Sequence, residues 1–544
     1  MCIASETLLY TKGKNYTGDG QVRNCRDWNV LRDWATDHSA YMSHLTEAFV
    51  GVCYLIVGIY VSRRLLAHCA HVAAIRNQGC LPPRRYPHKD RVLGLDLLFD
   101  INKSLRASKF LSESQRRFLD LGRTYQTTSF GTAAINTIEP KNLQMVYSLA
   151  FDNFGMEPLR RNMAKQLWGR GILSTDGAFW QHSRALIRPT FNRHQIANFD
   201  LMRVHIDRLL ERIPQDGSLV DLAPLLKHYA LDTSTEFLFG ESVMSQLDNR
   251  PDEVEQFLKA FEYVSANIGR HRHMGFFTFL SRDKKWIEAS KTIQSYIDRH
   301  VEKAMGLRNL RDEMKDEQTQ PQRYVLLDEM AKLTDDKLDL RHQILHVFLP
   351  GHESTGVLLS AVFFVLARES DVWKQLRHEV ISTCSEEPTY EDIKSLRYLR
   401  WVLNETFRLY PLFATNTRIC LDDTILPLGG GPNGQSPIYI SKGTVIASNL
   451  WAMHRDRELW GEDAENFKPE RWSDAKPTWE YLPFNGGPRI CIAQQLALSE
   501  TGYVITRFMQ KFSVIEDRDG EPWQECMSLS VRSKNGVKVG LIAA

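Results

Sequence analysis

Two long stretches in the second half of the chain have the hydrophobic pattern of helices. Leu338–Arg368 is apolar on nearly every face beyond Ile344, which is typical of a buried central helix. Pro350 and Gly351 stand in its middle and predict a kink or a local opening, because proline has no N–H for the carbonyl four residues earlier. Ala493–Phe512 has apolar residues that recur at multiples of four, which predicts a helix with one buried face.

The pattern changes along the chain from helical to mixed. Residues 105 to 410 are mainly helical in pattern, and the polar stretch Met314–Arg323 predicts an exposed loop between two helices. Thr415–Gly443 is instead rich in glycine, proline and β-forming residues, which predicts short strands and a tight turn. The sequence therefore predicts a mainly α fold with a small β-rich lobe.

An apolar run near the N-terminus predicts a membrane anchor. Ala48–Val61 has no charged residue, and Arg63 and Arg64 follow it directly. A membrane span needs roughly 20 apolar residues, so the run has to be extended over residues 41–47, which include a histidine and a glutamate. A buried or interfacial helix is the alternative. The basic residues after the run place the globular part of the chain in the cytoplasm by the positive-inside rule.

The anchor divides the chain into four predicted segments. They are a polar tail at residues 1–44, the anchor at 45–66, a linker with several prolines at 67–90 and a globular domain at 91–544. The tail would lie on the far side of the membrane. There Asn15, in the tripeptide Asn15-Tyr16-Thr17, is a candidate glycan acceptor.

The composition argues against several classes of protein. Lys and Arg together number 68 against 66 Asp and Glu, and a formal net charge of +2 gives no reason to expect nucleic acid as a partner. None of the nine cysteines forms a Cys-x-x-Cys pair, which argues against a zinc ribbon or a dithiol redox motif. The cysteines do not resemble a disulfide framework either, so we expect most of the chain to lie in a reducing compartment.

Cys491 is the candidate for chemistry because of the loop around it. Phe484–Ala493 places two glycines and a proline before the final long helix. A thiolate there faces the free N–H groups and the positive end of the helix dipole, which predicts a lowered pKa for Cys491. Arg489 can bind a carboxylate with two parallel hydrogen bonds. A cysteine before a helix is on its own more often an inert buried thiol, so the argument depends on the loop residues.

The sequence Phe484-x-x-Gly487-x-Arg489-x-Cys491 resembles the haem-binding signature of the cytochrome P450 family. Four more stretches resemble motifs of that family and occur in the family's order. They are Trp180-x-x-x-Arg184, Gly351-x-Glu353-Ser354-Thr355, Glu405-x-x-Arg408 and Phe467–Trp472. The resemblance extends from about residue 75 to the C-terminus. It is closest to the fungal branch that hydroxylates alkanes and fatty acids, and related fungal enzymes act in secondary metabolism.

The resemblance implies roles around a haem b. Cys491 would be the axial thiolate ligand of the iron, and the glycines of its loop would let the backbone approach the flat macrocycle. The other residues that would bind the haem are Trp180, Arg184, Arg418, Phe484 and Arg489. Glu405, Arg408 and Arg471 would form a buried charge cluster with a structural role, holding the cysteine loop against the core.

Proton delivery and substrate binding are also implied by the resemblance. Glu353, Ser354 and Thr355 would form a proton relay, although the family usually has threonine in place of Ser354 and alanine or glycine in place of Pro350. The stretches that would shape the substrate pocket are Leu105–Met163, Gln256–Leu280 and Ser528–Val531. Phe276, Phe277 and Phe279 could line an apolar channel, or pack in the core or against a membrane.

The resemblance therefore implies a monooxygenase fold and activity. One oxygen atom of O2 would enter an apolar substrate, such as a fatty acid, an alkane, a terpenoid or a polyketide. Electrons would come from a separate NADPH-dependent cytochrome P450 reductase, with both proteins on the endoplasmic reticulum membrane and this chain crossing it once. The alternatives are a haem-thiolate isomerase or dehydratase, against which Glu353 and Ser354 argue, a non-catalytic haem protein, and a membrane interaction protein without a cofactor.

Overall fold

A computed structural model describes residues 27–274, 283–314 and 324–544, and the chain divides into two units after Val72. The helices are α1 Asp27–Gln78, α2 Leu95–Arg106, α3 Phe110–Leu121, α4 Pro140–Gln144, α5 Glu157–Gln166, α6 Gly177–Ile187, α7 Arg193–Ile196, α8 Asp200–Glu211, α9 Leu222–Phe239, α10 Asp252–Met274, α11 Lys284–Met314, α12 Leu326–Ala331, α13 Lys337–Leu366, α14 Ser370–Thr383, α15 Tyr390–Ser395, α16 Arg397–Leu409, α17 Leu450–Met453, α18 Arg457–Trp460 and α19 Gln494–Lys511.

The strands are short and lie mostly in the C-terminal part of the chain. They are β1 Arg84–Arg85, β2 Thr124–Ser129, β3 Thr132–Thr137, β4 Phe154–Gly155, β5 Asp216–Asp221, β6 Thr415–Cys420, β7 Thr424–Gly430, β8 Ser436–Ile440, β9 Val445–Asn449, β10 Phe512–Asp517, β11 Glu525–Met527, β12 Val531–Ser533 and β13 Lys538–Ala543. This composition confirms the predicted mainly α fold with a small β-rich part.

The strands form one larger sheet and three small ones. The larger sheet has the order β1-β2-β3-β9-β6-β4, and the small sheets are β10-β13-β5, β11-β12 and β7-β8. The β2–β3 hairpin turns at Phe130 and Gly131, which both have positive φ, as a two-residue hairpin turn requires. Strands β6 to β8 confirm the prediction of short strands with a turn between Thr415 and Gly443.

The first unit contains most of α1, which extends through the predicted anchor into the predicted linker. Within it, Val50–Ala70 is long and apolar enough to cross a membrane, and its described side chains are exposed. Part of the predicted linker belongs to the second unit: Cys80 is buried there, and β1 pairs with β2. Asn15 and the rest of residues 1–26 lie outside the described residues.

The second unit is organised around α13, which is buried over most of its length. This helix is continuous through Pro350 and Gly351. A break in the helix, as a local opening would produce, is therefore absent at these two residues. It packs closely on α9 at Gly356, where a Cβ atom would lie 3.1 Å from Cα of Lys227. Helices α11, α16 and α19 also pack against it. The predicted bounds of α13 and α19 agree with the structure within two residues.

Two predicted features cannot be compared with the structure. Most of the loop Met314–Arg323 lies outside the described residues, because they end at Met314 and resume at Tyr324. Phe276, Phe277 and Phe279 also lie outside the described residues.

Candidate active site

A cavity of about 1180 Å³ lies between α13, α19 and the loop before α19. Pockets for small molecules typically have volumes of roughly 300–1,000 Å³. The cavity is therefore slightly larger than a typical small-molecule pocket. Cys491 lines it together with Ser354 and Thr355 of α13.

The loop that carries Cys491 is closed by backbone hydrogen bonds. The Cys491 N–H donates to the Phe484 carbonyl at 3.0 Å, and the Ile490 N–H donates to the Gly487 carbonyl at 3.0 Å. Gly487 has a φ of +67°, and a Cβ there would lie 1.9 Å from the carbonyl oxygen of Tyr147. This glycine is therefore required by protein packing, a different reason from the approach to a macrocycle that the resemblance implied.

Cys491 is exposed to the cavity, and protein atoms surround the cavity itself. Burial raises its pKa, while the Ala493 N–H and the Arg184 guanidinium lower it less strongly. The Ala493 N–H at the start of the helix does favour the thiolate, as predicted. The net pKa of the free thiol is nevertheless raised, so the predicted lowering is wrong. Removal from water outweighs one N–H group and one positive charge.

Three arginines from different elements line the cavity near this loop. Arg489 is the best bonded of them: it donates to the Asp176 carboxylate at 2.7 Å and to the Thr175 carbonyl at 2.8 Å. Its guanidinium lies over the Trp180 ring at 4.5 Å from the centroid. Its Nε has no hydrogen-bond partner in the described part of the chain.

Arg184 and Arg418 complete the group, and neither has a carboxylate within ion-pair distance among the described residues. Arg184 donates to the Ile490 carbonyl at 3.2 Å, which joins α6 to the cysteine loop. Arg418 is buried and donates to Asn416 Oδ1 and to the Thr417 carbonyl. Burial lowers the pKa of Arg489 to about 10, and repulsion from Arg418 and Arg184 contributes. Three cations beside one carboxylate make this wall suited to an anion.

The three relay candidates on α13 face different directions. Ser354 and Thr355 line the cavity, and both hydroxyls donate to the Gly351 carbonyl, at 3.5 and 3.4 Å. Glu353 does not line it. Its Oε1 accepts from the Ser528 hydroxyl at 2.8 Å, the Ser530 hydroxyl at 2.7 Å and the Ser530 N–H at 3.2 Å.

Comparison with known proteins identifies the family. The model of the cytochrome P450 family matches residues 98–539. Cytochrome P450 monooxygenase himC of Aspergillus japonicus is 38% identical over 515 residues, which cover 94% of this chain and 92% of that protein. The chain belongs to the cytochrome P450 family.

Other relatives cover similar lengths. Cytochrome P450 monooxygenase fsdH of Fusarium heterosporum is 37% identical over 500 residues, which cover 90% of this chain and 87% of that protein. Cytochrome P450 52A13 of Debaryomyces hansenii is 34% identical over 519 residues, which cover 92% of this chain and 98% of that protein. This cytochrome P450 is a monooxygenase that inserts one oxygen atom from O2 into an apolar organic substrate. The isomerase, dehydratase and non-catalytic alternatives are not favoured.

Cytochromes P450 bind haem through a cysteine thiolate, and the residues of the cavity fit that group. The described residues contain no cluster of three or more His, Cys, Asp or Glu that could hold a metal ion. A single thiol is nevertheless sufficient where a macrocycle supplies the other ligands. The cavity also offers the unpartnered Arg489 Nε and two arginines without carboxylate partners, which suit the two propionates of a haem. Phe484 lines the cavity and packs edge-on against Phe407 at 4.9 Å between ring centroids.

The charge cluster behind the site centres on Glu405, which is fully buried with Arg408. Arg408 donates to both carboxylate oxygens, at 2.9 and 2.8 Å. Arg471 donates at 3.2 Å and also binds Asp463 at 2.8 Å. The structure thus brings together the three predicted residues. It adds Trp472, whose indole N–H donates to Glu405 at 3.0 Å and which the sequence analysis did not assign.

The substrate side of the cavity agrees with the prediction only in part. Leu105–Met163 and Ser528–Val531 contribute lining residues, but the described part of Gln256–Leu280, residues 256–274, contributes none. Residues that the sequence analysis missed come from α2, from the segment between α6 and α8, and from α8 itself. They include Leu97, Leu98, Ile101, Phe191, Leu201 and Val204. The sequence shows that these residues lie on apolar faces of helices. It does not show whether such a face packs in the core or lines a cavity.

Proposed function

We propose that Cys491 is the axial ligand of the haem iron and that Arg184, Arg418 and Arg489 bind the propionates, with Trp180 and Phe484 packing against the haem. The supporting observation is a thiol that opens into the same cavity wall as two arginines without carboxylate partners in the described chain. When bound, the haem supplies dioxygen activation and insertion of one oxygen atom into a C–H bond.

In the same proposal, hydroxyls on α13 conduct protons along the cavity wall. Ser354 and Thr355 reach the cavity, and their convergence on the Gly351 carbonyl keeps the two hydroxyls close to each other. Glu353 completes this relay only if its carboxylate leaves Ser528 and Ser530, which it binds in the structure. A positioned hydroxyl transfers a proton only to groups within hydrogen-bond reach or through one water molecule.

We further propose that the substrate combines an aliphatic chain with an anionic end, as a fatty acid does. The α2–α3 side of the cavity is lined by Leu97, Leu98, Ile101, Phe110 and Phe118. Arg117 lies on the same face of α3 as Phe110 and Phe118, is half-buried, and has no hydrogen-bond or ion-pair partner among the described residues. A half-buried cation beside apolar lining favours a ligand with one carboxylate and a long apolar part.

Substrate-binding difference spectra of the haem-loaded enzyme test this proposal. Dodecanoic acid should bind more tightly than its methyl ester, and Arg117→Ala should weaken binding of the acid about 10- to 100-fold, as expected for a hydrogen bond to a charged group. Arg116→Ala is the matched control, because Arg116 is 68% exposed and paired with Glu113. The proposal is wrong if the acid and the ester bind equally well to the unaltered enzyme, or if Arg117→Ala weakens both alike.

We also propose how the chain is anchored in a membrane and which protein supplies its electrons. Val50–Ala70 would anchor the chain by a single crossing of the endoplasmic reticulum membrane, with the catalytic domain in the cytoplasm. The basic pair Arg63 and Arg64 supports this orientation, because cytoplasmic flanks of membrane helices carry an excess of Lys and Arg. An NADPH-dependent cytochrome P450 reductase of the same membrane would supply the electrons.

A further inference from the structure

Residues 167–176 connect α5 to α6 and carry part of the cavity lining. They form neither helix nor strand, yet Trp168, Ile172 and Leu173 line the cavity. Ile172 lies next to the cysteine loop, because the Arg489 guanidinium donates to its carbonyl at 3.4 Å. Backbone outside helices and strands needs other partners for its polar groups. The position of this wall therefore depends on side chains from other elements.

The backbone of Leu173 is bound by side chains of two helices. Arg160 of α5 donates to the Leu173 carbonyl at 2.7 Å. His346 of α13 accepts from the Leu173 N–H through Nδ1, at 3.3 Å. Both polar groups of this backbone unit are thus satisfied by side chains, and His346 connects it to the buried central helix.

The second ring nitrogen of His346 binds the same segment. Because Nδ1 accepts a hydrogen bond, Nε2 carries the proton of the neutral ring, and it donates to the Gly169 carbonyl at 3.3 Å. Burial lowers the pKa of His346 to about 3, so the ring stays neutral at physiological pH. One donor and one acceptor on a single ring therefore bind two points of a segment that has no regular secondary structure.

Glycines of the segment make room for histidines of α13. A Cβ atom at Gly171 would lie 2.2 Å from the ring of His346. At Gly169 it would lie 2.2 Å from the ring of His342, one turn earlier on α13. Such contacts do not occur between unbonded atoms, so the segment already packs against α13 as closely as it can. This packing opposes movement toward α13, and the hydrogen bonds of His346 oppose movement away from it.

His352 is also a buried histidine of α13, but its contacts are different. Its Nδ1 lies 2.9 Å from the Phe348 carbonyl of the same helix, and its Nε2 has no hydrogen-bond partner in the described part of the chain. It does not line the cavity, whereas His346 does. The binding of a separate segment is therefore particular to His346 and does not follow from burial on α13.

We propose that His346 is a positioning residue that fixes the cavity wall formed by Ile172 and Leu173, and that this wall limits the width of a ligand that reaches the haem iron. The inference rests on the proposed function, because Cys491 has to bind the haem for a ligand in this part of the cavity to reach the iron. His346 acts through the backbone of Leu173 and does not have to touch the ligand.

Two probes that bind haem iron directly test the proposal in the haem-loaded enzyme. Imidazole and 4-phenylimidazole share the iron-binding ring and differ by one phenyl group, so the ratio of their Kd values in difference-spectrum titrations reports the space beside the iron. His346→Phe keeps a ring but removes both hydrogen bonds, and it should change this ratio about 10-fold with the Kd of imidazole within about 2-fold of its original value. His346→Asn can still accept from the Leu173 N–H through Oδ1, and it should keep the ratio within about 3-fold.

His300→Phe is the matched control for the loss of a buried histidine. His300 is 8% exposed and stacks on Phe239 at 4.6 Å between ring centroids. It does not line the cavity. This substitution should leave the ratio of the two Kd values unchanged, even if it lowers the stability of the protein.

Three titration results would overturn the inference: an unchanged ratio in His346→Phe, an equal change in His346→Asn, or an equal change in His300→Phe. If His346→Phe does not bind haem, hydrogen exchange of the unaltered enzyme decides instead. The Leu173 amide should be protected, and exchange as fast as in an unfolded chain would contradict the proposal. Failure of the proposed function is distinguishable, because the reduced unaltered enzyme would then lack a thiolate-type carbon monoxide spectrum, whatever the protection of Leu173.

Discussion

Glu405 is fully buried and accepts hydrogen bonds from four groups. Two guanidinium groups, the Trp472 indole N–H and the Lys468 backbone N–H all donate to its carboxylate. A buried pair is not in itself strong evidence of stability, but removing one partner leaves the other charge uncompensated. A single substitution of Glu405 should therefore disturb the packing of all the groups that bind it.

Glu405→Ala should lower the free energy of unfolding by about 3–5 kcal/mol, because Arg408 stays buried without its carboxylate. Denaturant unfolding measures this change, and the ratio of haem to protein after purification should fall with it. Glu462→Ala is the control: Glu462 is 88% exposed and forms a surface ion pair with Arg457, and such a pair contributes at most about 1 kcal/mol. Unfolding of Glu405→Ala within 1 kcal/mol of the unaltered enzyme would refute a structural role for the cluster.

At the residue scale, the sequence predicted which residues line the site better than it predicted how buried they are. Arg184, Arg418, Arg489 and Cys491 were all predicted to bind one cofactor, and the structure places them on one cavity. The pKa of Cys491 was predicted in the wrong direction, because the helix end is visible in the sequence while the degree of burial is not.

Helix geometry explains which relay residues face the cavity. A helix turns by about 100° per residue, so the stripe of α13 that faces the cavity takes two neighbouring residues from each turn and leaves Glu353 to one side. Ser354 lies one turn after Pro350 and Gly351, and all three line the cavity with Thr355. This spacing could have been used to separate Glu353 from the rest.

At the scale of a single element, α1 is predicted to hold the protein in a membrane. The full-length protein should stay in the membrane pellet after alkaline carbonate extraction, because Val50–Ala70 is long and apolar enough to span. Removing residues 1–72 should release a fraction of the protein into solution. If the orientation is also right, Asn15→Gln should increase gel mobility by the loss of a glycan. Complete extraction of the full-length protein by carbonate would contradict a spanning anchor.

At the scale of the whole molecule, the sequence predicted the class of fold but not its long-range pairing. Local patterns predicted α13 and α19 to within two residues at each end, and they predicted short strands between Thr415 and Gly443. They could not predict that β5 pairs with the C-terminal strand β13, where the Val537 N–H donates to Asp221 at a separation of 316 residues. Such pairing depends on the packing of the complete chain, and no local window contains both strands.

The cavity is likewise a property of the whole molecule. Its lining comes from segments that extend from Gly94 to Leu529, so its volume could not be inferred from any one motif. The family motifs predicted the wall near Cys491, because a cofactor of fixed chemistry requires fixed residue types. On the other side of the cavity the resemblance predicted lining from Gln256–Leu280, but the described part of that range, residues 256–274, contributes none.

The central claim is that the sulfur of Cys491 binds the haem iron, and the carbon monoxide spectrum of the reduced enzyme tests it most directly. Cys491→Ala should abolish the thiolate-type Soret band even when haem is retained. Cys384→Ala, which changes a half-buried cysteine elsewhere in the chain, should leave the band in place. A Cys491→Ala enzyme whose band is as strong as that of the unaltered enzyme would show that another residue is the ligand.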